Sequence, residues 1–165
     1  MTPNPNFSVV PLEECHLDAV ASLEAACFSR PWSRAALAAE LTNPTACFYV
    51  ALAPNGTVAG YTGMHCVCGE CYMANLCAHP AWRRQGVGTL LLRALLQKAV
   101  GIGASFLTLE VRASNRAAQS LYEKHGFTPI GTRRAFYDLP REDAVLYIKR
   151  FEPERSFRAN ENSGN

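Results

Sequence analysis

No stretch of this 165-residue chain approaches the roughly 18 consecutive apolar residues that a membrane-spanning helix requires. The opening segment, Met1-Thr-Pro-Asn-Pro-Asn6, lacks both the basic and the apolar region of a secretion signal. Charge is sparse and nearly balanced, with 16 Lys and Arg against 14 Asp and Glu, and the basic residues are scattered. A nucleic-acid-binding face needs a clustered basic patch, so direct nucleic-acid binding is not expected. Two nucleotide signatures are also missing, the GxGxxG of dinucleotide-binding folds and a GxxxxG followed by Lys and Ser or Thr. Paired CxxC spacing is absent too. Seven cysteines, an odd number without a secretory context, predict reduced thiols in a cytoplasmic protein.

What is present is a hydrophobic share of 48%, enough for one substantial core. Residues 7–12 predict a strand, and Leu17, Val20, Leu23 and Cys27 fall at helical spacing within 14–28. Arg30-Pro31-Trp32 breaks that helix, and Ser33 is placed to cap a second one ending near Asn43–Pro44. Strands are expected at 46–53, 57–67 and 71–78, divided by the turns Pro54-Asn55-Gly56 and Cys68-Gly69-Glu70. Gly86-Val87-Gly88 opens a helix whose leucines and Val100 are apolar almost all round, predicting burial on more than one side. Gly101-Ile102-Gly103 ends it. Phe106–Val111 reads as a central strand, Asn115–His125 as a short helix, and 127–137 with 143–151 as two last strands. The expected fold is a single α/β domain over 7–151, a twisted, mixed, mostly antiparallel sheet with helices on both faces. Residues 1–6 are expected to be a flexible N-terminus and the polar 152–165 a disordered tail.

The sharpest chemical signal is Arg83-Arg84-Gln85-Gly86-Val87-Gly88, lying between a strand and a helix. Glycines there let backbone N–H groups approach a ligand, and the helix N-terminus adds positive potential suited to a pyrophosphate. The same loop could simply join strand to helix. Glu110 interrupts an apolar strand, where a carboxylate is costly unless functional or paired with Arg112 or another arginine. Tyr122 follows Asn115 by seven residues, which places both on one helix face. Each has an ordinary role available, Tyr122 as a core residue and Asn115 as a helix cap. Cys66, Cys68, Cys71 and Cys77 could supply thiolates to zinc, but small buried thiols are the simpler expectation and no metal is predicted.

Taken together, Asn75–Phe127 resembles the cofactor-binding core of the GCN5-related N-acetyltransferases. The (Q/R)-x-x-G-x-(G/A) signature is met by Arg83, Gly86 and Gly88, and Leu109-Glu-Val-Arg-Ala-Ser-Asn115 with Leu121-Tyr122-Glu123 and Gly126-Phe127 continues the likeness. Pro31-Trp32-Ser33, Glu110–Asn115, Arg133-Arg134 with Tyr137, and Arg141-Glu-Asp-Ala144 resemble the RimI-type ribosomal-protein-alanine N-acetyltransferases. Phe136 stands where those sequences often have a second tyrosine, and the Asp138–Arg141 loop looks short.

The resemblance implies acetyl-CoA as co-substrate and, as acceptor, a protein N-terminus, that of a ribosomal small-subunit protein beginning with alanine. Leu76, Cys77 and Ala78 would line the acetyl and pantetheine arm. Arg83 would complete the signature, and the backbone of Arg84, Gln85, Gly86, Val87, Gly88 and Thr89 would cradle the pyrophosphate. Asn115 would bond the arm, Glu110 would act as general base, and Tyr122 would protonate the departing thiolate. A tyrosine pKa near ~10 against ~8.5 for a thiol makes that last transfer nearly level if the shifts are modest. Lysine, polyamines and other small amines remain alternative acceptors. A non-catalytic acetyl-CoA-binding module would need neither Glu110 nor Tyr122.

Overall fold

The computed structural model describes residues 6–152. The expectations for a flexible start and a disordered tail fall almost wholly outside those residues. The chain runs β1 (Ser8–Pro11), a 3-10 turn (Glu14–His16), α1 (Leu17–Cys27), α2 (Arg34–Glu40), β2 (Ala46–Leu52), β3 (Val58–Val67) and β4 (Glu70–Ala78). It continues through a 3-10 turn (Pro80–Trp82), α3 (Val87–Gly101), β5 (Phe106–Arg112), α4 (Arg116–Lys124), β6 (Thr128–Asp138) and β7 (Arg141–Arg150). The strands form one seven-stranded sheet in the order β1-β2-β3-β4-β5-β7-β6. Only β4 and β5 pair in parallel, joined by α3. This is the single mixed α/β domain that the sequence predicts.

Helices cover both faces. A Cβ on Gly60 would stand 2.6 Å from the Cys77 carbonyl oxygen and 2.8 Å from Val87, so only glycine lets α3 pack this close to the sheet. The next residue, Tyr61, points the opposite way, into a core with Leu17, Val20, Leu23 and Leu37 of α1 and α2. Leu92, Leu95 and Ala99 of α3 join Leu107, Leu109, Tyr122 and Phe127 in the largest core cluster. Burying each such side chain stabilises the fold by about 1.5–3 kcal/mol before entropy is counted.

Three local expectations are corrected. First, α2 stops at Glu40, because Leu41 and Thr42 donate to Ala38 and Ala39 in tight three-residue steps and the Asn43 side chain turns back to Thr45. Second, α3 is not buried all round: Leu90 and Leu96 are half-buried, and Val100 is 61% exposed. Third, not every thiol is reduced. Cys66 and Cys71 face each other across the β3–β4 hairpin and pair as a disulfide. Cys68 is not a buried thiol but occupies the two-residue turn at φ 50°, exposed to solvent.

The feature that creates a site is where β4 and β5 part. They pair only through Glu70–Phe106, Cys71–Leu107 and Tyr72–Thr108. Past that point β5 stays with β7 as far as Arg112–Ala144, while β4 follows β3. The β3–β4 register shifts between Gly63 and Met64, leaving Ala74 as an extra residue that bends β4 away. The result is a wedge open towards the C-terminal ends of both strands.

Candidate active site

A cavity of about 420 Å³ fills this wedge. Its walls are the end of α1 with the loop to Trp32, β4 from Tyr72 to Leu76, β5 from Leu109 to Arg112, the start of α4, and the tip of the β6–β7 hairpin. Backbone N–H and C=O groups of β4 beyond Tyr72 have no partner on the β5 side, so an amide-bearing chain could pair with them as an added strand.

Of the residues singled out in the sequence, Glu110, Tyr122, Asn115 and Leu76 line the cavity together. Cys77 is buried against the α1 side, and Ala78 ends β4. Arg83–Thr89 lie outside the lining but adjoin it through Cys27. That thiol lines the cavity, sits 3.9 Å from the Ala78 carbonyl oxygen, and is 3.9 Å from the Arg83 guanidinium. The Cys77 thiol beside it, followed by Arg83, holds Cys27 below the usual thiol range, to about 6, while Cys77 itself is pushed up.

The loop before α3 has the backbone of an anion cradle. Arg84 and Gly86 both adopt left-handed conformations, at φ 62° and 82°, and Gly86 is the N-cap of α3. No side chain caps this helix, and Leu90 makes the first helical bond back to Gly86, at 3.0 Å. The N–H groups of Val87, Gly88 and Thr89 are therefore free to meet phosphate oxygens, with the helix dipole behind them.

Glu110 alternates with buried Leu109 and Val111, and its carboxylate is 4% exposed. Its partner is not Arg112 but Arg133, at 3.4 Å, and the Tyr72 hydroxyl donates to its other oxygen. Arg112 instead reaches Glu142 at 3.3 Å, the Leu139 and Pro140 carbonyls, and the ring of Tyr137 at 4.2 Å. Tyr122 is buried under Phe127 and Tyr147, with its hydroxyl 3.8 Å from the Met73 sulfur. Burial, more than the neighbouring tyrosine, pushes its pKa well above the ordinary tyrosine range. Tyr122 is therefore protonated in this site. Asn115 spends its side-chain oxygen on the cap of α4, accepting from Ala118 N–H at 3.2 Å. Its amide N–H₂ donates to none of the described residues.

Sequence reading missed Tyr72, Glu24 and Asn75 as cavity residues. Glu24 was hidden on an ordinary amphipathic helix, where its 0% exposure could not be inferred. Near the hairpin tip, Arg30 and Asp138 form a two-pronged ion pair at 2.7 and 2.6 Å across the cavity mouth, and exposed Phe136 lies beside it. The turn from Asp138 to Arg141 holds only Leu139 and Pro140, as short as expected.

Residues 17–127 match the Acetyltransferase (GNAT) family. The chain belongs to that family. As a GNAT protein it is an acetyl-CoA-dependent N-acetyltransferase. The [ribosomal protein bS18]-alanine N-acetyltransferase of Escherichia coli K12 is 35% identical over 137 residues, covering 82% of this chain and 91% of the relative. The Mycobacterium tuberculosis N-alpha-acetyltransferase RimI is 37% identical over 130 residues, 75% of this chain and 80% of that protein. The crystal structure of the Escherichia coli ribosomal-protein-S18-alanine N-acetyltransferase superposes with a TM-score of 0.81 at 30% identity, covering 92% of this chain and 99% of that one. Arabidopsis thaliana NAA60 in complex with acetyl-CoA shares the fold, with a TM-score of 0.80 at 16% identity.

Proposed function

We propose that this enzyme acetylates the α-amine of a protein N-terminus, that of a ribosomal small-subunit protein beginning with alanine. The observation that carries the reading is the convergence of Glu110 and Tyr122 on one cavity at the parting of β4 and β5. The substrate named for the Escherichia coli relative supports the choice of acceptor.

In this reading the pantetheine arm pairs along the free edge of β4 at Leu76, Cys77 and Ala78, with Asn115 N–H₂ bonding it from the other side. The pyrophosphate rests on the N–H groups of Arg84–Thr89, with Arg83 alongside. The peptide enters between the Phe28–Trp32 loop and the Phe136–Asp138 hairpin tip. Glu110 accepts the amine proton directly or through water, and the amine attacks the thioester carbon. The thioester C–S bond then breaks, and the departing thiolate takes the Tyr122 proton. A thiolate in the same dry pocket is itself destabilised by burial, which offsets the raised pKa of Tyr122. Both substrates meet in one site, so no covalent enzyme intermediate is needed.

Proton availability favours an α-amine. With pKa ~8 about a tenth is neutral at pH 7, against roughly four parts in ten thousand of a lysine at ~10.4. The reaction is placed in the cytoplasm, without membrane or direct nucleic-acid binding. The test is a peptide that starts with alanine and contains one lysine, offered with its N-terminus free or blocked. Acetylation of the free peptide alone is expected, and equal acetylation of the blocked peptide contradicts the reading.

A further inference from the structure

Across the cavity from Glu110 lies a second carboxyl group. Glu24, near the end of α1, is fully buried, lines the cavity, and has no cation partner among the described residues. Its Oε2 accepts from the Trp32 backbone N–H at 3.1 Å. Its Oε1 accepts from the Tyr61 hydroxyl and from Asn75 Nδ2, the latter at 2.5 Å. A buried carboxylate without a cation is costly, and a polar network persists in a core only when its geometry serves something.

The consequence falls on Asn75. Its Nδ2 donates to Glu24 and also to the Tyr61 oxygen, at 3.0 Å. Its backbone carbonyl is held by the Thr62 hydroxyl at 2.8 Å, which fixes β4 at this point. Trp32, Tyr61 and Asn75 all donate to Glu24, so the carboxyl oxygens act as acceptors and Asn75 turns its N–H₂ towards them. The amide oxygen is left for the other side. Asn75 lines the cavity, and its Oδ1 accepts from none of the described residues. Nor is that oxygen sealed away, since no buried side-chain polar atom among the described residues lacks a partner. A fixed hydrogen-bond acceptor is thus presented between Tyr72, which touches Glu110, and Leu76.

We propose that Asn75 Oδ1 binds an N–H of the acceptor amine, and that Glu24 and Tyr61 are positioning residues that keep this oxygen turned into the cavity. The assignment rests on the acetyl-transfer reading above and names a group that holds the nucleophile in it. Glu24 does a second job through Trp32, tying the acceptor-side loop to the strand that carries Asn75.

Glu24→Gln tests this without changing side-chain volume. The introduced glutamine brings its own N–H₂, so Asn75 reverses its amide and shows N–H instead of oxygen to the cavity. The acceptor-peptide KM should rise about tenfold or more, while acetyl-CoA affinity stays near wild type. Asn75→Ala should raise the same KM. The double variant Glu24→Gln with Asn75→Asp should recover most of the loss, because the introduced carboxylate accepts from the introduced amide with one oxygen and offers the other to the cavity. An unchanged peptide KM in both single variants overturns the proposal. So does a parallel fall in acetyl-CoA affinity, which would make the pantetheine amide the partner. A wild type that spares the peptide and acetylates spermidine contradicts the function above, and the same KM comparison on spermidine then decides Asn75.

Discussion

Tyr72 donates its hydroxyl hydrogen bond to the Glu110 carboxylate from the last β4 residue that pairs with β5. The bond spans the apex of the wedge, and Arg133 completes the set at 3.4 Å. A hydrogen bond to a charged group is worth about 1.5–3 kcal/mol. Tyr72→Phe should therefore cost about ten- to a hundredfold in kcat/KM for the acceptor and leave acetyl-CoA affinity unchanged. Steady-state kinetics with each substrate varied in turn check this.

The anion cradle depends on backbone shape. Gly86 sits at φ 82° with nothing near its missing Cβ, so the objection to a side chain there is conformational strain, not collision. Acetyl-CoA at a hundred times its Kd should stabilise the wild type by about 2.7 kcal/mol, a rise in Tm of roughly 5–10 °C. Gly86→Val should largely abolish that rise. Gly101→Ala, in open space at the end of α3, should keep it. Thermal melts with and without acetyl-CoA separate the two.

Much of this was legible in the sequence for physical reasons. The α3 leucines, the alternation around Glu110 and the glycines before α3 are local patterns, and local patterns fix local structure. The contacts that were not legible are long-range. Glu24 and Asn75 lie 51 residues apart and meet only because α1 packs on β3 and β4. Glu110 was readable as an anomaly in its strand, but its partner was not, since Arg112 and Arg133 become distinct only once β7 and β6 are laid beside β5. The Cys66–Cys71 pair was missed because composition argued for reduced thiols, whereas hairpin register sets the two opposite each other.

That pairing gives a simple count. All seven cysteines lie among the described residues, and five are free. Thiol titration of the denatured, unreduced protein should find five reactive groups, rising to seven after reduction. Seven without reduction would restore the expectation drawn from composition.

Glu24 should also mark the stability of the fold against pH. Burial raises its pKa from 4.5 to about 7, with the Trp32 and Asn75 bonds pulling the other way. Facing it are Cys27 on its own helix, Tyr61 from β3, Asn75 and Cys77 from β4, and Trp32 N–H from the loop. Between pH 4.5 and about 7 the folded state holds a proton that the unfolded chain has lost. This contribution to stability is therefore largest below pH 4.5 and declines as pH rises to about 7. Its full size is on the order of 3 kcal/mol. Glu24→Gln should flatten the decline and raise Tm at pH 8, even as it weakens acceptor binding. Denaturant melts at pH 5, 6, 7 and 8 measure both curves.

The central claim is that acetyl passes from thioester to amine inside the wedge between β4 and β5, with Glu110 and Tyr122 moving the protons. Single-turnover transfer from saturating acetyl-CoA to an alanine-initiated peptide tests it most directly, with Glu110→Gln and Tyr122→Phe beside the wild type. Both variants should bind acetyl-CoA within a few-fold of wild type and transfer acetyl at least roughly tenfold more slowly. The Glu110→Gln deficit should be deepest at low pH, where less of the amine is already neutral. Transfer by either variant at the wild-type rate, with chemistry limiting, would contradict the account.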